Sequence, residues 1–269
     1  MANVLITGCN SGFGYYTSEY FARAGHRVFA TVRPQEDMTR LETLAATEGH
    51  SIRILPLEVT DNAQIATVVE QVLAEGPLDV LVNNAGRVVI APFEEIPEDN
   101  VRAIFDVNVF GLFNLTRAFL PSMRANNAGT IVNLSSPAAL MPSHWYSVYA
   151  ASKAAVDAMS KSLAQELADW NIRLILIYPG NFKTAVLNNA VGELTVRQAS
   201  PYYDLKQSTK EAARATYGSM LASDEERASR ETGRPVGEAI FNAVFDGTQN
   251  LHYPVGSDAQ AVFANRMHS

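Results

Sequence analysis

Cysteine is almost missing from this 269-residue chain. Its one residue, Cys9, excludes an internal disulfide framework and fits a reducing compartment. Histidine is sparse too: His26, His50, His144, His252 and His268 stand far apart, and no grouping of His, Cys, Asp and Glu has metal-ligand spacing, so no metal site is expected. Basic charge is also short, with 21 Lys and Arg against 28 Asp and Glu and a formal net charge of −7. That balance excludes the basic face needed to grip a nucleic-acid backbone. No apolar run approaches the roughly 20 residues that cross a bilayer. The chain opens inside its first strand pattern, so no leader is expected and the location read from sequence is cytoplasmic. No linker, repeat or composition seam divides the chain, and 1–269 is read as one domain.

What the chain does have is 47% hydrophobic residues arranged in alternating patterns. Apolar strand-like runs lie at Asn3–Thr7, Arg27–Val32, Ser51–Val59, Leu78–Val82, Thr130–Leu134 and Ile172–Tyr178, with a last short one near Leu251–Tyr253. Helical patterns fall between them at Tyr15–Ala24, Gln35–Thr47, Asn62–Glu75, Glu98–Arg124 and Tyr146–Trp170, and a further helix, Val236–Phe245, starts beside Pro235. Strands alternating with helices specify an α/β fold with a parallel sheet covered on both faces. This is the doubly wound, Rossmann-type architecture.

The first strand runs directly into Gly8-Cys9-Asn10-Ser11-Gly12-Phe13-Gly14. Gly8 can take backbone angles that a Cβ forbids, Gly12 lets the main chain approach a pyrophosphate, and Gly14 allows close helix–strand packing. Anionic phosphates would then sit over a helix N-terminus. Cys9 is read as a small loop-filling residue, with a redox-active thiol as the alternative.

Tyr149 and Lys153 are separated by one helical turn and share a helix face. A free phenol ionises near pH 10 (roughly), but a neighbouring ammonium favours the phenolate and brings its pKa towards neutrality. Tyr146 competes with Tyr149, but four residues beyond it stands Ala150, which cannot perturb a phenol. Tyr146, His144 and Trp145 shape a substrate pocket or simply pack.

With these motifs placed, the sequence resembles the short-chain dehydrogenase/reductase family in its compact single-domain branch, from Thr7 to about Tyr253. Thr7 to Gly14 resembles the family's Thr-Gly-x-x-x-Gly-x-Gly turn, with Phe13 where isoleucine is commoner. Asn83-Asn84-Ala85-Gly86 resembles its motif after the fourth strand, and Asn108 its helix asparagine. Ser136 ends the run Ile131–Ser136, thirteen residues before Tyr149, an interval that favours it over Ser135. Pro179-Gly180 with Thr184 resembles the turn after the sixth strand.

The resemblance implies a catalytic set of Asn108, Ser136, Tyr149 and Lys153. Tyr149 would protonate a growing alkoxide, Ser136 would hold the carbonyl oxygen, Lys153 would also bind the nicotinamide ribose, and Asn108 would order a relay water. A helix-interior asparagine satisfied by backbone is the other reading of Asn108. A nicotinamide dinucleotide is implied along Gly8, Asn10, Ser11, Gly12, Phe13, Gly14, Asn84, Ala85, Gly86, Pro179, Gly180 and Thr184. Glu58-Val59 stands where the family has the Asp-Val that binds adenine. At the end of the second strand no carboxylate is seen, and Arg33, helped by Asn10 and Ser11, would pair with a 2′-phosphate, so NADP(H) is favoured over NAD(H).

The segment 185–234 breaks the rhythm and reads as a helical substrate lid or a plain surface hairpin; its Tyr202, Tyr203, Tyr217, Met220 and Leu221 would line an apolar pocket. The leading expectation is an oxidoreductase acting on a ketone, aldehyde or secondary alcohol, with a hydrophobic small molecule as substrate and a homodimer or homotetramer as its assembly. The alternatives are an NAD-dependent alcohol dehydrogenase and a nucleotide-sensing protein without turnover. The intact four-residue set disfavours the last, and the glycine spacing disfavours a sugar-nucleotide epimerase.

Overall fold

Short runs rich in β-branched and aliphatic residues form seven parallel strands: β1 (Asn3–Ile6), β2 (Arg27–Val32), β3 (Ser51–Pro56), β4 (Val80–Asn83), β5 (Gly129–Leu134), β6 (Ile172–Pro179) and β7 (His252–Val255), the central ones buried on both faces and the edge strands β3 and β7 partly exposed. The computed structural model describes residues 1–182, 200–203, 228–229 and 232–266. Its sheet runs β3-β2-β1-β4-β5-β6-β7, with Leu5 opposite Phe29 on one side and Leu81 on the other. The strand order reverses between β1 and β4. Ligands of open parallel sheets bind at such a switch point, beyond the carboxyl ends of the strands.

The helices, numbered in chain order, are α1 (Gly12–Arg23), α2 (Thr39–Ala45), α3 (Asn62–Leu73), α4 (Glu98–Phe105), α5 (Leu112–Asn126), α6 (Ser147–Glu166), α7 (Arg234–Phe245) and α8 (Ser257–Arg266). Helices α1, α2 and α7 cover one face, where Phe21, Val28, Val82 and Ile240 meet; α3, α5 and α6 cover the other around Phe29, Leu81, Phe119 and Ile131. Each large side chain buried this way contributes about 2 to 3 kcal/mol. Across the sheet a polar ladder is fully paired: Asn83 donates to Thr116 and Asn133, and Asn133 donates to Ser160.

Departures from the sequence expectations have local causes. The helix expected over Gln35–Thr47 begins only at Thr39, because Asp37 accepts from the Thr39 backbone and hydroxyl and holds the chain in a turn. The strand expected to reach Val59 ends at Pro56; Leu57 N–H still reaches the Val32 carbonyl at 2.9 Å, and beyond it the Glu58–Asp61 turn, closed by the Asp61 N–H on the Glu58 carbonyl at 2.9 Å, carries the chain off the sheet. Helix α1 starts at Gly12 rather than Tyr15, so two glycines of poor helix propensity form its first turn. Helix α8 was not anticipated.

The single helix expected over Glu98–Arg124 is continuous but contains a π-helical segment, Asp106–Gly111. There Gly111 lies so close to Val59 that an added Cβ would come within 3.0 Å of the Val59 carbonyl oxygen. By length and composition Glu98–Asn126 would suffice to cross a bilayer, yet one side of it, with Ile104, Leu115, Phe119 and Met123, is buried in the protein core.

Candidate active site

The carboxyl ends of β1 and β4 are stitched together before any ligand is considered. Thr7 Oγ1 accepts from the backbone N–H groups of Asn84 and Ala85, each at 2.9 Å, and the Asn84 amide donates to the carbonyls of Thr7 at 2.7 Å and Gly8 at 3.1 Å. Gly8 has φ +71° and Gly12 φ +56°, angles that favour glycine. The turn they make opens into a cavity of about 660 Å³. Gly8, Asn10, Ser11, Gly12, Phe13, Arg33, Glu58, Val59, Asn84, Ala85, Gly86, Pro179 and Gly180 all line it, as do Ser136, Tyr149 and Lys153 farther along. Gly14 lies behind the turn, where its bare Cα is required for packing. Thr184, like Tyr217, Met220, Leu221 and most of the expected lid, lies outside the described residues. Tyr202 donates to Glu94 at 2.6 Å, and neither it nor Tyr203 lines this cavity.

Cys9 settles as a filler. It is fully buried, its Sγ donates to the Ile6 carbonyl, and burial pushes its thiol up to about 12.

At the end of β2 the expectation needs correction. A carboxylate does stand there: Glu36, three residues beyond Arg33, ion-pairs with its guanidinium and accepts from Asn10 Nδ2 at 3.0 Å. The tight turn of Arg33–Glu36, closed by the Glu36 N–H on the Arg33 carbonyl at 3.0 Å, folds the acid back onto the two groups read as a phosphate clamp. Glu58 points its backbone N–H at Gln64 and its carboxylate towards the Thr60 N–H.

The reactive end is built by β5 and α6. Ser135 and Ser136 follow β5 directly, and their hydroxyls take different partners. Ser135 is buried and donates to Asp157 at 2.6 Å. Ser136 lines the cavity, caps the turn Pro137–Ala139 by accepting from Ala138 N–H at 3.2 Å, and hydrogen-bonds the Tyr149 phenol. Tyr146 lines the cavity with its ring edge-on to Tyr149, centroids 6.0 Å apart. Trp145 packs with Val88 and Ile90, while His144 is exposed and away from the cavity.

Lys153 is 6% exposed and donates from Nζ to the Leu134 carbonyl at 2.6 Å. Burial lowers its pKa to about 8, against the pull of the Asp157 carboxylate. The lowered phenol pKa expected for Tyr149 is not what this geometry produces. The ammonium lies 5.9 Å from the phenol ring centroid and is turned onto Leu134, so burial raises the phenol, opposed by the Ser136 hydroxyl.

Asn108 is 1% exposed within the π-helical segment. Its Oδ1 accepts from Arg87 N–H at 2.7 Å, and its Nδ2 donates to the Arg87 carbonyl at 2.9 Å and to Ser152 Oγ at 3.0 Å. Ser152 in turn donates to the Tyr149 carbonyl at 2.7 Å. Both amide protons are thereby spent on protein groups, one on the Arg87 carbonyl and one on Ser152 Oγ.

Comparison with known proteins gives this arrangement a family. The family described as short chain dehydrogenase matches residues 2–194. The chain belongs to the short-chain dehydrogenase/reductase family. Among its relatives, a 3-ketodihydrosphingosine reductase of Bacteroides thetaiotaomicron is 32% identical over 97% of this chain and 90% of its own. Human 17-beta-hydroxysteroid dehydrogenase type 1 is 37% identical over 70% of this chain and 59% of its own. Of solved structures, a short-chain dehydrogenase from Streptomyces avermitilis superposes with TM-score 0.81 at 30% identity, covering 99% of this chain and 92% of that one. A serine dehydrogenase complexed with NADP+ gives 0.76 at 30% identity, covering 94% and 93%. The chain is thus an oxidoreductase-family protein with the family's sheet.

Three residues that matter at this short-chain dehydrogenase site escaped the sequence reading. Glu36 and Asp157 were in reach, at i+3 from Arg33 and i+4 from Lys153. Asp258 was not: it comes from α8, accepts from Asn181 N–H at 2.8 Å, and lies where a Cβ on Gly180 would fall 2.0 Å from its Oδ1. It pins the Pro179-Gly180 turn.

A dinucleotide fits what is present. The turn offers the N-terminal N–H groups of α1 and a backbone bared by glycine, and the cavity volume lies within the range that holds small-molecule cofactors.

Proposed function

We propose that this protein is an NADP(H)-dependent oxidoreductase, a single catalytic domain that interconverts a hydrophobic ketone or aldehyde and its alcohol. One observation carries the reading: Ser136, Tyr149 and Lys153 line the same cavity as the glycine turn. Gly8, Asn10, Ser11, Gly12 and Phe13, with Asn84, Ala85 and Gly86, would hold the dinucleotide; Val59 and Glu58 would flank its adenine, and Lys153 its nicotinamide ribose. The bound nucleotide supplies or accepts a hydride.

The rest falls to the protein's own side chains. Ser136 Oγ and Tyr149 Oη both present hydroxyls to a carbonyl oxygen, and the tyrosine gives up its proton as charge grows there. Lys153, whose ammonium is held by the Leu134 carbonyl, would favour that transfer on turning towards the phenol, since phenolate is worth more beside a positive charge. Asn108 holds Arg87 and, through Ser152, the turn of α6 that carries Tyr149. Val88, Met141, Tyr146 and Val262 give the cavity an apolar wall, which suits substrates of the kind named in two relatives, a 3-ketodihydrosphingosine and a 17-beta-hydroxysteroid. Phe110 and Phe113, both exposed on the helix from Glu98, support a homodimer or homotetramer.

A second reading, preference for NAD(H), is favoured by Glu36, whose carboxylate already neutralises Arg33. Kinetics with both nucleotides on a panel of apolar ketones test the function. If Arg33 binds a 2′-phosphate, Arg33→Ala raises the KM for NADPH about tenfold or more and leaves that for NADH nearly unchanged, while Glu36→Gln frees the guanidinium and lowers the KM for NADPH. Equal effects on both nucleotides would give the site to NAD(H). No consumption of either nucleotide with any ketone would favour the nucleotide-sensing alternative.

A further inference from the structure

Behind the reactive pair lies a buried carboxylate that the reaction as described does not use. Asp157 is 4% exposed and follows Lys153 by one turn of α6. Its Oδ1 accepts from Ser135 at 2.6 Å; its Oδ2 accepts from the Tyr178 hydroxyl of β6 at 3.0 Å and from Lys161 Nζ at 3.1 Å. A carboxylate only accepts, so Tyr178 must donate to it, and the 2.9 Å contact between Tyr178 and His252 Nδ1 then has the imidazole as donor. His252, on β7, is exposed. The chain of contacts therefore runs from the surface to Ser135, the residue between the Leu134 carbonyl that holds Lys153 and the Ser136 hydroxyl that meets Tyr149.

We propose that Asp157 is a positioning residue for the Tyr149–Lys153 pair: it clamps the Leu134–Ser136 strand end from behind and supplies the negative charge that keeps the buried ammonium charged, with Tyr178 and His252 as its outward support. Two functions meet in one group. Geometrically, removing the Ser135 clamp loosens both the acceptor of Lys153 and the partner of Tyr149. Electrostatically, burial strips water from Lys153 and Asp157 opposes the loss of its proton. Around Asp157 the polar and charged neighbours are Lys153 and Lys161 on α6, Ser135 on β5, Tyr178 on β6 and, through Tyr178, His252 on β7; α8 contributes Phe263 against Tyr178. Lys153 also faces Tyr149 and Asn108, and the carboxylates Asp106 and Asp258 line the same cavity.

The consequence for turnover rests on the oxidoreductase reading, so the test has an arm that does not. Competitive acetylation with trace acetic anhydride across the neutral to alkaline range, read by mass spectrometry on the Lys153 peptide, reports the ammonium directly. In Asp157→Asn the labelling midpoint falls by about one pH unit, and in Asp157→Glu, which restores the charge, it returns to within a few tenths. In the second arm, reduction of an aromatic ketone by Asp157→Asn loses about tenfold in kcat while the KM for the reduced nucleotide moves less than about threefold. A midpoint unmoved in Asn, or one that falls equally in Asn and Glu, overturns the proposal whatever reaction the protein performs. Failure of ketone turnover in the parent protein, with the labelling shift present, overturns the oxidoreductase reading and leaves the clamp.

Discussion

Tyr149→Phe lowers the rate of ketone reduction by about a thousandfold or more while the dissociation constant of the reduced nucleotide changes less than about threefold, the loss expected when a positioned general acid is removed. The variant is close to isosteric. A phenyl ring keeps the edge-on contact with Tyr146 and the packing with Val88 and Ile90, so what disappears is the hydroxyl that Ser136 meets. Ser136→Ala, which deletes one neutral donor and leaves the proton source, costs about a hundredfold. The pH dependence separates these effects from general damage. The pKa of Lys153 is lowered to about 8, so the ammonium is kept below that pH and lost above it. Reduction needs the charged form, and kcat/KM for the reduced nucleotide, which reports groups of the unliganded protein, therefore falls as pH rises through about 8. Loss of absorbance from the reduced nucleotide measures the rates, and quenching of protein fluorescence measures binding. Turnover by Tyr149→Phe near the parent rate would remove Tyr149 from the chemistry.

How much of this was visible in sequence depends on the range of the interactions involved. Alternating apolar periods are local, and they placed β2 at Arg27–Val32 to the residue and every other strand to within a few positions. The glycine turn and the Tyr149–Lys153 spacing are equally local, and the structure brings both into one cavity. Whether Tyr149's pKa falls was not a local question. It turns on burial and on where Nζ points, and the Leu134 carbonyl, nineteen residues away, captures that ammonium. The carboxylate beside Arg33 was hidden for a smaller reason: a turn, closed by the Glu36 N–H on the Arg33 carbonyl, carries Glu36 back onto the guanidinium where a helical pattern was expected. Asp258 lies 77 residues from the turn it pins, on a helix whose sequence shows little amphipathic signal, and only the sheet's closure by β7 brings it near. Ser136 and Ser135, separated in sequence only by an interval, differ in their partners: the Ser135 hydroxyl is held by Asp157, while that of Ser136 is beside Tyr149.

Gly14→Ala is expected to be the most damaging single methyl in the chain's nucleotide turn, and opposing magnitudes decide its sign. Alanine in place of a helical glycine ordinarily stabilises by about 0.5 to 1 kcal/mol, because less backbone entropy is lost on folding. Here the added Cβ would lie 2.3 Å from the Gly8 carbonyl oxygen, 2.6 Å from Asn84 Nδ2 and 2.9 Å from the Gly8 carbonyl carbon. Two of those atoms are backbone and cannot swing away. The third is already fixed by hydrogen bonds to the Thr7 and Gly8 carbonyls, so relief requires breaking the stitch between β1 and β4. Overpacking of this kind costs about 1 to 3 kcal/mol, and each lost buried hydrogen bond adds about 1 kcal/mol or more, which together exceed the entropic gain. Denaturant unfolding should therefore show a net loss of about 2 to 3 kcal/mol, and displacement of the Gly8–Gly12 backbone should raise the KM for the nucleotide by about a hundredfold or more. Gly25→Ala is the control: its φ of +79° strains an alanine, but no atom lies within 4 Å of the new Cβ, so it costs about 1 to 2 kcal/mol without touching nucleotide affinity. If Gly14→Ala instead unfolded later than the parent and bound nucleotide as tightly, the close packing of α1 against the β1 turn could not be what shapes the cofactor end of the cavity.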